Sequence, residues 1–192
     1  MNTPLLLRIG IWTWLLAAIF AGNARLLQRL PMPGVQAVLL GLTVLVLALY
    51  FRLQALRTWI DSLDLRSLVF VHVTRFVGVY FLVLYRRGQL AYEFAVPGGW
   101  GDILVAVLAL GIVVAPLADG PRRRLITIWN VIGFVDIVLV VITAGRVGLA
   151  TPWLMLPLTV LPLSLLPTFL VPIIIATHVI IYLRLRRELA PA

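Results

Sequence analysis

Two histidines, one arginine and one aspartate stand inside otherwise apolar runs of this chain: His72, Arg75, Asp136 and His178. Ionisable groups at membrane depth are costly and mark candidate pathways or cofactor sites. His72 and Arg75 are three residues apart, a spacing that puts both on one helix face. His72 lies six residues past Arg66, and His178 lies six residues before Arg184. At helical rise each histidine is roughly 9 Å inside the same membrane edge, on helices running in opposite directions. Asp136 is twelve residues past Arg124, roughly 18 Å in, and Arg75 is at roughly 13 Å, a gap that an Arg side chain spans. An Arg75–Asp136 pair near the midplane is therefore expected, as a structural ion pair or as part of a working site. Between the third and fourth apolar runs, "RRGQLAYEFAVPGGWGD" carries Glu93 and Asp102. Its Pro and Gly residues predict an irregular turn with Asp102 as a helix N-cap. The alternative is a carboxylate-lined outer mouth formed by Glu93 and Asp102.

Three chemistries fit these residues. A polar pathway for a small solute or ion would use His72, Arg75, Asp136 and His178 on the third, fifth and last helices. A b-type haem for electron transfer would take His72 and His178 as axial ligands. A non-catalytic accessory or assembly subunit of a membrane complex would use them only to join helices. No catalytic residue is assigned, and the chain reads as a non-enzyme. The histidines and Asp136 differ by roughly 9 Å in depth, too far to share one metal ion. No HExxH is present.

The elements that must hold these residues are membrane helices. Of the 192 residues, 62% are hydrophobic and 12% charged, against about 25% charged in a soluble domain. Cys and Lys are both absent, which excludes thiolate nucleophiles, Cys-bound metal and Schiff-base chemistry. The formal charge of +9 does not indicate nucleic acid, because the arginines flank apolar runs, as membrane topology requires. Apolar runs cover residues 5–21, 35–51, 67–85, 103–117 and 125–145, and a last stretch covers 149–183. The first has signal-peptide features but a weakly charged start, and is expected to be a retained helix.

The last stretch contains "PWLMLPLTVLPLSLLPTFLVP", with a proline at every fifth position from Pro152 to Pro172. Proline removes a backbone donor and clashes with the preceding turn. The expected outcome is a broken or re-entrant segment over residues 149–168 feeding one terminal helix, with a kinked seventh span as the alternative. The fold class is thus an all-α polytopic bundle of six spans in a single domain, 1–192. Ten arginines on the side of the termini against five opposite predict an inner-membrane protein with both termini cytoplasmic. The connection "RLQALRTWIDSLDLRS" reads as an amphipathic surface turn or an ordinary solvated loop. The lipid bilayer is one partner, and a homodimer or larger membrane complex a further one.

Within residues 75–102, Arg75, Gly78, Phe81, Phe94, Ala95, Pro97 and Asp102 form a pattern. It resembles that of a set of small uncharacterised bacterial multi-pass membrane proteins. The resemblance implies an architecture and no activity, and it draws attention to Arg75 and Asp102.

Overall fold

The computed structural model describes residues 4–31 and 33–189. Its α-helices are α1 (Leu5–Asn23), α2 (Gly34–Arg52), α3 (Gln54–Ser62), α4 (Leu65–Phe70), α5 (Gly78–Arg86), α6 (Tyr92–Val114), α7 (Asp119–Ala150) and α8 (Val171–Leu189). A 3-10 turn, Val71–Val77, joins α4 to α5 in one span, Leu65–Arg86. A π turn, Leu166–Leu170, leads into α8. Six segments among the described residues are long and apolar enough to cross a bilayer, and the protein is a multi-pass membrane protein with an all-α bundle. Side chains such as Leu6, Val44 and Val114 are exposed on the outside of the bundle, where lipid tails would replace a core.

The irregular turn expected at "PGGWG" does not form. Helix α6 begins at Tyr92 and runs through Pro97 and the glycines without a break. The small residues instead let neighbouring helices approach: Ala95, Gly98, Gly99, Ala106 and Ala109 are all buried, and α6 packs on α5, α7 and the 3-10 turn. Close backbone approach through small residues is the usual basis of helix association in lipid. Asp102 is therefore no N-cap. It lies nine residues beyond the exposed Glu93, roughly 13 Å deeper, and the two carboxylates share no mouth.

The proline ladder folds as a 3-10 turn, Pro152–Thr159, followed by turns and the π turn. Pro172 has no N–H to give to the carbonyl of Thr168, four residues back. The Trp14 indole of α1 donates to that carbonyl instead, at 2.9 Å, and its ring meets Phe169 edge-on at 4.8 Å. The broken backbone is thus paired and packed within protein, the condition under which such backbone survives at depth. It also gives α1, which buries only Ala18 and Gly22 along its length, a specific attachment.

The connection after α2 is the short helix α3, with Trp59 and Ile60 half-buried. Tyr50 donates to Asp61 Oδ1, and Arg187 donates to Asp61 Oδ2 and to the Tyr50 hydroxyl, each at 2.9 Å. Arg184 donates to the carbonyls of Ile60 and Leu63. Helices α2, α3 and α8 are tied together at the arginine-rich end. Burial alone would raise the Asp61 carboxyl, but the hydrogen bonds from Tyr50 and Arg187 and the nearby arginine charges hold it below the usual carboxylate range.

Candidate functional site

The third span tightens into a 3-10 turn exactly where its polar residues lie. Side chains three residues apart eclipse in that geometry, so His72 and Arg75 stand in line on one face, and both are buried. One turn on, Gly78 meets Gly99 of α6. A Cβ on Gly78 would collide with the Gly99 carbonyl, and one on Gly99 would sit 2.9 Å from the Gly78 carbonyl. This backbone contact brings Asp102 against Arg75.

The guanidinium then reaches three acceptors on two helices. Arg75 Nε donates to Asp102 Oδ1 at 2.6 Å, Nη1 to the Gly133 carbonyl at 3.0 Å, and Nη2 to Asp136 Oδ2. Gly101 leaves room for the Asp136 carboxylate, which a Cβ there would strike. Arg75 is 1% exposed and Asp102 4%, while the Asp136 side chain keeps 21% of its surface. One cation faces two carboxylates, so with all three ionised the cluster carries a net charge of −1. A charge buried in this way is tolerated only with hydrogen bonds and a counter-charge, and here one negative charge exceeds what Arg75 supplies.

The two histidines meet beside this cluster, with ring centroids 4.2 Å apart, at 0% and 1% exposure. Trp129 borders both rings. Thr177 spends its hydroxyl proton on the carbonyls of Ile173 and Ile174, so its oxygen accepts from His72 Nε2 at 3.1 Å. Asn130 donates its amide to the His178 carbonyl, so its oxygen accepts from His178 Nδ1 at 2.8 Å. Both imidazoles are neutral in this scheme, and the remaining nitrogens, His72 Nδ1 and His178 Nε2, are buried without partners. Gly133 makes room for His178: a Cβ there would lie 2.8 Å from its Cε1.

This arrangement does not fit a haem. Axial imidazoles must stand on opposite faces of a macrocycle, whereas these rings contact each other directly, and Thr177 and Asn130 hold one nitrogen of each. Among the described residues no group of three or more His, Asp or Glu converges as a metal site would require.

A cavity of about 80 Å³ lies next to the charge cluster. The proline-broken segment forms one wall with Met155 and Leu158, α7 another with Val140 and Ala144, and Phe81 and Phe94 a third. Arg75 and Asp102 line it, whereas Asp136 and the histidines lie outside its walls. The structure thus joins Arg75 to Asp136 and His72 to His178, and leaves Glu93 apart at the exposed first turn of α6. Sequence reasoning missed Asn130, Thr177 and Gly133 as partners and misplaced Asp102. Asn130 was visible as a lone amide in an apolar run; nothing in the spacing singles out Gly133.

A family model described as Domain of unknown function (DUF8737) matches residues 32–186, which takes in every span except the first. No curated protein and no solved structure matches the chain.

Proposed function

Because the chain belongs to the DUF8737 family, whose description names no activity, its function must be read from the site, and we propose passage of a small solute or ion across the bilayer. One observation carries this reading: a single guanidinium shared by two carboxylates at membrane depth, beside a cavity. The excess negative charge gives the cluster two states. A proton or small cation that joins it cancels the charge, and its departure restores it. Asp136, whose side chain keeps more exposed surface than that of Asp102, is the member assigned to this exchange in the proposal. Each exchange alters how tightly Arg75 holds α6 and α7 against the third span. The 3-10 turn at Arg75 and the proline-broken wall are the places where such a bundle would bend.

The arginine count supports an inner-membrane placement with both termini cytoplasmic. Six spans are few for a carrier, so the working unit in this proposal is a homodimer. The test is flux in proteoliposomes loaded with a pH-sensitive dye. Dissipation of an imposed pH gradient that is lost in Asp136→Asn supports passage through the cluster. Equal dissipation in protein-free liposomes, or in that variant, rejects it.

A further inference from the structure

The junction of α2 with α3, at the arginine-rich end of the bundle, forms a second site. Leu53 is extended (φ −94°, ψ 99°) and is the single residue between the two helices. Arg52, the last residue of α2, and Arg57, one turn into α3, line one open cleft of about 400 Å³ with Phe51, Gln54, Thr58 and Asp61. That volume lies within the range of about 300–1,000 Å³ that holds small ligands. Among the described residues in its walls Asp61 is the only acid, and its two oxygens already accept from Tyr50 and Arg187, each at 2.9 Å. Arg57 comes no closer to that carboxylate than 3.7 Å. Arg52 is exposed and makes no ion pair among the described residues. Two guanidiniums therefore face the cleft with most of their donors unspent. Helix α3 also begins without a side-chain cap, so its first N–H groups add donors beside Gln54. The chemistry that fits is an anion with several acceptor oxygens, such as a phosphate.

Location selects the source of that phosphate. Arg52 ends a helix apolar enough to span a bilayer, so the cleft lies at the level of lipid headgroups. Phe51 and Leu53, on either side of Arg52, are 53% and 47% exposed, apolar surface that acyl chains would cover. We infer that the cleft binds the phosphate diester of an anionic phospholipid, its oxygens on Arg52 and Arg57 and its chains along Phe51 and Leu53. A zwitterionic headgroup brings an ammonium against the same two arginines and is disfavoured.

The test is native mass spectrometry of the full chain in detergent, titrated with phosphatidylglycerol or with phosphatidylcholine of the same acyl chains. Wild type is expected to hold phosphatidylglycerol at least about fivefold more tightly, the effect of one arginine at a membrane surface. Arg52→Gln combined with Arg57→Gln is expected to remove that preference with thermal unfolding close to wild type, since both side chains are exposed. Arg124→Gln, which removes an exposed arginine near the start of α7, is expected to keep it. Equal retention of the two lipids by wild type, a preference undiminished in the double variant, or one lost equally in Arg124→Gln overturns the inference. The first of these comparisons needs no variant to fold. Glycerol phosphate, the headgroup without its chains, is added as a competitor and is expected to displace the lipid only in large excess. Displacement at the lipid's own concentration would assign the cleft to a free phosphate and reject the lipid.

Discussion

Arg75→Lys keeps the charge and removes the fork. Arg75 addresses Asp102, the Gly133 carbonyl and Asp136 with three different nitrogens. A lysine ammonium is a single point with no planar spread. Placed between α6 and α7 it can hold one carboxylate well and must release the other with the carbonyl. Hydrogen bonds to charged groups contribute about 1.5–3 kcal/mol, and neutral ones about 1 kcal/mol. Losing one of each, with a carboxylate left unpaired at depth, costs roughly 3–5 kcal/mol. For a chain of this size that corresponds to a fall in Tm of about 10 °C. Thermal unfolding in detergent, followed by tryptophan fluorescence, reads the effect. Arg75→Lys combined with Asp102→Asn removes the stranded charge and is expected to recover part of the loss, which makes the two substitutions non-additive. A lysine variant within about 1 kcal/mol of wild type, or a double variant as unstable as the sum, refutes the shared-fork reasoning.

Three further outcomes follow from other contacts. Gly133→Ala puts a methyl group 2.8 Å from His178 Cε1 and is expected to cost about 1–3 kcal/mol by overpacking, measured in the same unfolding assay. Trp14→Phe leaves the Thr168 carbonyl without its donor and is expected to cost about 1–2 kcal/mol and to speed proteolysis between α1 and α2. Asp61→Asn removes a carboxylate whose folded pKa is depressed, so its stabilising effect is present above the ordinary value of about 4 and lost as pH falls through the folded one. The Tm gap between wild type and Asp61→Asn is therefore expected to be constant near neutrality and to close below about pH 4, as a pH series would record.

The bundle was legible because composition and run length alone demand membrane helices, and the proline spacing forbids one continuous last helix. Helical rise puts His72 level with His178 and Arg75 within side-chain reach of Asp136, and these two pairs do meet across the bundle. Asp102 was misplaced because Pro97 and three glycines read as a turn by local propensity, whereas in lipid the same small residues serve helix contact. The Gly78–Gly99 approach is long-range and leaves no local signature. The cavity was illegible for a similar reason, since its walls come from five spans and the ladder. Asn130 and Thr177 were passed over because each looks like an ordinary polar interruption until a histidine is placed beside it.

The most direct measurement is charge displacement across proteoliposomes adsorbed on a solid-supported membrane, recorded on rapid addition of protons. Wild type is expected to give a transient current whose sign is inward positive charge, and Asp136→Asn, with the cluster already neutral, is expected to give none. Identical currents from the two proteins, or none from wild type, would contradict a working site built on the unmatched carboxylate.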